Sequence, residues 1–215
     1  MTEASAIVES RAFLDHKQLP ATLIVLGGGF IGCELACLAA VLGVKVILIE
    51  LLEDILLLLD PDVRREVRTH METTLGIRIL TGKAAQAVSA DSRAIRCEEG
   101  AETLAAELLL CGVGRKPVTD GLKLDNAGLK TGERGFIEAD SYCRTSAANI
   151  FAVGDVAGKT QLAHFATAQG ITAAENAHLR LQRKHETVVP NVFSRRPKSV
   201  RSASRRRRPG NKIGL

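Results

Sequence analysis

Apolar and polar positions along this chain fall into short runs divided by turn residues. Thr22 to Leu26 is a β-branched and leucine run that gives way to glycines, a helix-like segment follows from Phe30 to Leu42, and Val44 to Ile49 reads as the next strand. Strand, helix and strand within about 30 residues is the arrangement of a parallel βαβ unit. Asp60, Asp62 and Arg64 open a second helical pattern that runs through His70. Ile77 to Leu80, Ala84 to Val88, Ala94 to Glu98 and Leu104 to Cys111 read as further strands, the last three forming a meander on top of the sheet.

After Cys111 the pattern changes. Gly112-Val113-Gly114-Arg115-Lys116-Pro117 is a breaker cluster, and Asp120 to Ser141 is rich in Gly, Asp, Asn and Lys, which marks a domain boundary. Asn149 to Val153 has the pattern of a buried strand ending in Gly154-Asp155, and Gln161 to Leu181 is an Ala-rich helix. The expected organisation is α/β: a domain over 1–112, a segment of a second domain over 113–186, and a basic tail over 187–215. No internal repeat at solenoid periods is present.

Composition narrows the function classes. Of 215 residues, 46% are hydrophobic and 25% charged, an ordinary globular balance. Aromatics are 3% with no Trp, which leaves little for stacking single-stranded bases. The net charge of +5 belongs to the tail, because nine of the 29 Lys and Arg lie from Arg195 to Lys212. Residues 1–192 carry 20 bases against 24 acids, so the body has no electrostatic case for nucleic acid. No apolar stretch reaches the roughly 20 residues that span a bilayer, and the first residues lack the pattern of a signal peptide. The chain therefore reads as cytoplasmic, with neither membrane nor nucleic acid as a partner. Its five cysteines are scattered and give neither a disulfide framework nor a zinc spacing, so no metal site is expected.

The candidate chemistry sits at Gly27-Gly28-Gly29-Phe30-Ile31-Gly32, a G-x-G-x-x-G sequence between a strand and a helix, with small Ala36 four residues on. Gly27 permits the tight turn, Gly29 lets backbone approach a pyrophosphate, and Gly32 lets helix and strand pack closely. The helix N-terminus offers N–H groups and partial positive charge to the phosphates. Glu50 follows Gly32 by 18 residues, where an acid can accept hydrogen bonds from an adenosine ribose. The next residues are Leu51, Leu52, Glu53 and Asp54, whose acids would repel a 2′-phosphate, so NAD is favoured over NADP. A ligand-free Gly-rich turn is the competing reading; the agreement of context and acid favours the nucleotide.

Leu19-Pro20, Gly27 to Glu34, Glu50, Gly114 to Pro117, Arg144-Thr145-Ser146 and Ile150 to Val156 together resemble the flavin-dependent pyridine nucleotide-disulfide oxidoreductases over residues 5–192. Within that family the NAD-type acid and Leu162-Ala163-His164 are most similar to the dihydrolipoyl dehydrogenase branch. Mercuric reductase, soluble transhydrogenase, NADH oxidase and glutathione reductase share most of these motifs. The resemblance implies a Rossmann-like NAD-binding domain with a three-stranded β-meander, followed by the second segment of a split FAD-binding domain. It implies that Gly27, Gly28, Gly29, Phe30, Ile31, Gly32, Cys33, Glu34 and Glu50 hold NAD, with Ala84 and Gly114 on the adenine and nicotinamide sides. Glu34 matches a family acid near the nicotinamide; read alone it is a first-turn acid favoured by the helix dipole. Asp155 would accept from the ribityl chain of FAD, and Gln161, Leu162, Ala163 and His164 would lie along the isoalloxazine. Implied partners are NAD(H), FAD if its remaining domain is supplied, and the lipoyl-bearing components of 2-oxo acid dehydrogenases.

The departures are equally specific. The family's first flavin glycine motif, its Cys-x4-Cys pair and its His-Glu base are not found, so no catalytic residue is assigned and a dinucleotide-binding module without turnover remains the alternative. Cys33 and Cys37, spaced C-x3-C, read as small buried residues. His70, His178 and His185 read as solvated. Beyond Arg195 the resemblance ends. One permitted back-translation of Pro197 to Arg205, read one base earlier, gives Pro-Glu-Ile-Gly-Ser-Val-Gly-Leu-Thr, which resembles the opening of the family's interface domain. The tail is accordingly read as a frameshift product, against the rival of a basic arm for phosphate backbones, and as disordered in either case.

Overall fold

The computed structural model describes residues 7–88, 94–97, 103–132, 134–158, 160–179 and 183–185. The basic tail over 187–215 lies outside the described residues. The chain divides into two compact units, the first ending at Val113 and the second beginning at Gly114.

The first unit opens with β1 (Ile7–Glu9) and α1 (Ser10–Leu14), followed by β2 (Thr22–Leu26), α2 (Phe30–Val41), β3 (Lys45–Ile49) and α3 (Pro61–Thr69). One π-helical turn over His70–Thr74 leads to β4 (Arg78–Leu80), and then come β5 (Ala85–Val88), β6 (Ala94–Cys97), β7 (Thr103–Ala105) and β8 (Leu108–Cys111). Five strands form a parallel sheet in the order β1-β8-β2-β3-β4, and β5-β6-β7 form an antiparallel meander.

Leu23, Ile24 and Val25 are all fully buried, as expected of a parallel strand covered on both faces. One face of the sheet packs Leu23, Val25, Leu48 and Leu110 against Cys33, Ala36 and Cys37 of α2 and Val67 and Met71 beyond it. The other packs Ile24, Ile49 and Leu109 with Leu104 of β7 and Ala106. Each fully buried Leu or Ile in these layers contributes roughly 1.5–3 kcal/mol of transfer free energy. α2 stops at Gly43, whose φ of +90° lets it turn back; its N–H donates to Ala40 O and that of Val44 to Ala39 O.

The run Leu104 to Cys111, expected as one strand, is two strands in two different sheets. The run is apolar on both sides of Glu107 and has no alternating period to assign its two halves to different sheets. The break comes at Glu107, whose N–H donates to Thr22 Oγ1 at 3.0 Å while its carboxylate accepts the Ala21 N–H at 2.7 Å. The corner is thus fixed to the start of β2.

In the second unit, 3₁₀ turns over Leu124–Ala127 and Gly154–Ala157 precede α4 (Ala163–Leu179). Ile137, Ala152 and Ala157 form a small core with Leu124, Ala139 and Val156. Asn149 to Val153, expected as a strand, makes only an isolated bridge between Phe151 and Arg144; Thr145 takes the neighbouring bonds, donating from N and Oγ1 to Ile150 O. Of the histidines read as solvated, only His178 is exposed and His70 is half-buried. His185 is buried, set edge-on against Phe165 with ring centroids 5.3 Å apart, its N–H donating to Ser141 O. An isolated histidine in a polar stretch carries no period to reveal such packing. No helix among the described residues is long and apolar enough to cross a membrane.

Candidate dinucleotide site

The site is built where β2 hands over to α2. Gly27 holds φ +101°, a conformation that favours glycine, and its N–H donates to Ile49 O at 2.8 Å. A Cβ on Gly32 would lie 1.9 Å from Gly27 O, so the first turn of α2 rests directly on the strand-end backbone. Gly112, directly after β8, joins this contact: its N–H donates to Leu26 O, and a Cβ on it would stand 3.3 Å from Gly32 Cα. Three glycines from two strand ends and one helix therefore form a bare floor. Gly112 reads in the sequence only as a breaker; its part in the floor depends on β8 lying beside β2, which no local pattern states.

Above this floor Gly29 caps α2 with extended backbone, and a Cβ on it would meet nothing within 4 Å. No side chain caps the helix, so first-turn N–H groups and the dipole's positive end face that open space. Such an opening can take the pyrophosphate of a dinucleotide.

Glu50 directly follows β3 and carries the site's placed carboxylate. It accepts the Gly28 N–H through one oxygen and the Leu52 N–H, at 2.8 Å, through the other. Its backbone is fixed as well, with Glu50 N–H donating to Leu80 O and Lys83 N–H to Glu50 O. Each oxygen keeps lone-pair capacity for a ribose hydroxyl. Ala84, half-buried, follows this tie directly. A Cβ on Gly28 would come 2.7 Å from Ile55 Cγ2, which closes the other side of the loop. Leu56 N–H donates to Gly28 O, and Leu56 adopts φ +52° while fully enclosed, strain of order 1 kcal/mol or more for a branched residue.

Two expectations about neighbouring groups change. Asp54 is not an available acid: Arg64 and Arg68 of α3 meet its two oxygens at 2.8 and 2.9 Å. The case against a 2′-phosphate therefore rests on Glu50 and Glu53. Glu34 is the fifth residue of α2, and the first turn contains no acid, so the helix-dipole reading of Glu34 does not hold.

Phe30 and Ile31 are half-buried at the helix start. Cys33 and Cys37 are both buried, as expected. Burial pushes the Cys33 thiol far up, with Cys37 and the carboxylates of Glu50, Glu34 and Asp54 adding to the shift. Cys33 Sγ donates to Gly28 O at 3.3 Å, so it braces the loop as a neutral thiol.

The second unit carries the remaining candidates. Gly114 holds φ +69°, and a Cβ on it would meet open space. Asp155 lies in the Gly154–Ala157 turn and pairs with Arg115 at 3.3 Å, both half-exposed. Gly154, at φ +74°, donates its N–H to Oε1 of the buried Gln169 at 2.8 Å, and a Cβ on it would touch Ala166. Gln169 was not singled out by the sequence, where it is one polar residue in an Ala-rich helix. Gln161, Ala163 and His164 are exposed and Leu162 half-buried at the entry to α4, where Leu162 O accepts the Ala166 N–H. Among the described residues no group of three or more His, Cys, Asp or Glu could hold a metal ion.

Residues 2–170 match the family described as pyridine nucleotide-disulphide oxidoreductase. The dihydrolipoyl dehydrogenase of Chlamydia pneumoniae is 36% identical over 194 residues, covering 90% of this chain and 42% of that protein. Dihydrolipoyl dehydrogenase 2 of Haloarcula marismortui is 42% identical, covering 80% of this chain and 37% of its own length. Among solved structures, the copper(II) complex of RclA from Escherichia coli, a HOCl-induced flavoprotein disulfide reductase, superposes with a TM-score of 0.80 at 29% identity over 89% of this chain and 45% of that one. LpdA from Mycobacterium tuberculosis gives 0.79 at 28% identity over 88% and 42%. The chain spans about two fifths of the length of the curated relatives it matches.

Proposed function

The chain belongs to the pyridine nucleotide-disulphide oxidoreductase family, and on that premise we propose that it is the NAD(H)-binding and partial FAD-binding portion of a dihydrolipoyl dehydrogenase-like flavoprotein. The reaction of that enzyme is hydride transfer between NAD and FAD, coupled to dithiol–disulfide exchange on a lipoyl group carried by a 2-oxo acid dehydrogenase component.

The observation that carries this reading is the pairing of the Gly28 N–H with the Glu50 carboxylate beside the open face of Gly29. The helix start supports a pyrophosphate, and the fixed carboxylate accepts ribose hydroxyls. Gly27, Gly32 and Gly112 keep side chains out of the floor. In this role Phe30 to Glu34 supply the helix start, and Ala84 lies on the adenine side. Glu50 and Glu53 repel a 2′-phosphate, which favours NAD over NADP.

The flavin reading rests on Asp155, which would accept from the ribityl hydroxyls, with Gln161 to His164 along the ring system and Gly114 toward the nicotinamide. The nicotinamide and flavin, when bound, supply hydride transfer. Cys33 and Cys37 do not supply the disulfide, since both are buried and the Cys33 thiol stays protonated.

Calorimetry of the chain with NADH and NADPH tests the cofactor assignment. NADH is expected to bind more tightly, and Glu50→Ala to weaken it by about tenfold or more, the scale of one lost charge-assisted contact. Preference for NADPH, or unchanged affinity in Glu50→Ala, refutes the assignment.

A further inference from the structure

The segment from Glu50 to Leu56 forms one wall of the nucleotide loop and is bonded to it at Gly28. Glu50 accepts the Gly28 N–H, Leu56 N–H donates to Gly28 O, and Ile55 closes over the Gly28 Cα. The early part of this wall is tied to β4 and the residues after it, through Glu50 N–H to Leu80 O, Gly82 N–H to Leu52 O and Lys83 N–H to Glu50 O. The later part, which includes left-handed Leu56, has a different anchor. There Asp54 accepts from Arg64 at 2.8 Å and from Arg68 at 2.9 Å, two residues one helical turn apart on α3, and also accepts the Ile55 N–H at 2.9 Å.

The three side chains are well screened from solvent, with exposures of 25% for Asp54, 16% for Arg64 and 30% for Arg68, so this is not an ordinary surface ion pair. Arg68 is held in turn by Glu72 at 3.1 Å. A rigid helix therefore grips the wall at one carboxylate, and that wall sets where the Gly28 peptide and the Glu50 carboxylate stand.

We propose that Asp54, clamped by Arg64 and Arg68, is a positioning residue for dinucleotide binding: it holds the 50–56 wall against Gly28 and so fixes Glu50 for the ribose without touching the ligand. This rests on the dinucleotide reading above and adds to it a residue outside the glycine motif. A loop carboxylate that looks like a repeller of phosphate is instead the point at which α3 orders the site.

The test uses the whole chain and two readouts. NADH affinity is measured by calorimetry in Asp54→Asn, Glu50→Gln and the double variant. Asp54→Asn is expected to weaken binding about tenfold alone but less than about twofold in the Glu50→Gln background, because residues acting through one another are not additive. Equal losses in both backgrounds overturn the proposal. Hydrogen exchange of the ligand-free protein is the second readout. Faster exchange at the Gly28 and Leu56 amides, with Leu23 to Val25 of β2 unchanged, supports the clamp; no change, or uniform acceleration through the sheet, overturns it. If the unmodified chain fails to bind NADH, the dinucleotide reading falls, and the exchange measurement still decides the clamp. Should Asp54→Asn not fold, Arg68→Gln removes one of the two contacts and is read by the same criteria.

Discussion

Gly32 lies so close under Gly27 that a methyl group added to it would stand 1.9 Å from the Gly27 carbonyl oxygen, well inside any van der Waals contact. The obstacle is backbone of the central strand end, which has no rotamer to yield. Gly32→Ala should therefore cost about 3 kcal/mol or more, the upper range for overpacking a core. Urea denaturation read by circular dichroism checks this, and a midpoint within error of the unmodified protein contradicts it.

Gly29, three residues past the end of β2, gives the opposite outcome. Its extended backbone admits alanine and nothing lies within 4 Å of the added carbon, so Gly29→Ala should cost at most about 1 kcal/mol. If that space receives phosphate, NADH affinity should nevertheless fall by about tenfold or more, since the carbon fills the approach to the helix start. Paired melting and titration curves separate the two effects.

Alkylation should distinguish the described cysteines. Cys33, Cys37 and Cys143 are buried and Cys111 is half-buried at the end of β8. With its thiol pushed far up by burial, Cys33 should resist iodoacetamide at neutral pH until the protein unfolds, while Cys111 is modified earlier. Mass spectrometry of time points gives the order, and early labelling of Cys33 would contradict it.

Removal of one buried acceptor should loosen the second unit. Gln169→Leu keeps the side-chain volume but leaves the Gly154 N–H without its 2.8 Å partner, a loss of about 1–3 kcal/mol. A lowered melting temperature is expected, together with faster exchange of the Gly154 amide.

Asp140 should make part of the acid response. Desolvation is the largest single influence and would raise its pKa, but the Arg144 backbone and guanidinium and the Tyr142 N–H together outweigh it and hold the carboxyl below its ordinary value of 3.8. A depressed folded pKa means stability that is present above the ordinary value and lost as pH falls through the depressed one. Asp140→Asn should accordingly flatten the acid limb of the stability curve, where pH falls through and below the ordinary carboxyl value, while changing little in its shape near neutrality. Urea midpoints across that range provide the comparison.

The parts of the fold that read correctly from sequence are those with a local signal. β2 carries a dense apolar run, Gly27 to Gly32 carry a spaced motif, and Glu50 falls at the fixed distance that one βαβ unit imposes. What escaped depends on contacts made far along the chain. The division of Leu104 to Cys111 is set by Glu107 binding Ala21 and Thr22, more than 80 residues earlier. Gly112 gains its role from β8 lying beside β2, and Asp54 from arginines on the following helix. Asn149 to Val153 shows the reverse error: an apolar run promises a strand, yet Phe151 finds only a single bridge with Arg144.

The order β1-β8-β2-β3-β4 also sets a timetable for the growing polypeptide. Leu23 of β2 pairs with Leu108, so the centre of the sheet stays open until almost the whole first unit has been synthesised. Until then β2 presents one bare edge of N–H and C=O groups, the kind of edge to which other unfinished chains adhere. Gly112 arrives immediately after that strand, so the floor beneath the helix start is laid last. A ribosome stalled before Leu108 would hold the molecule at its stickiest stage and deny it any ligand that could stabilise the finished pocket.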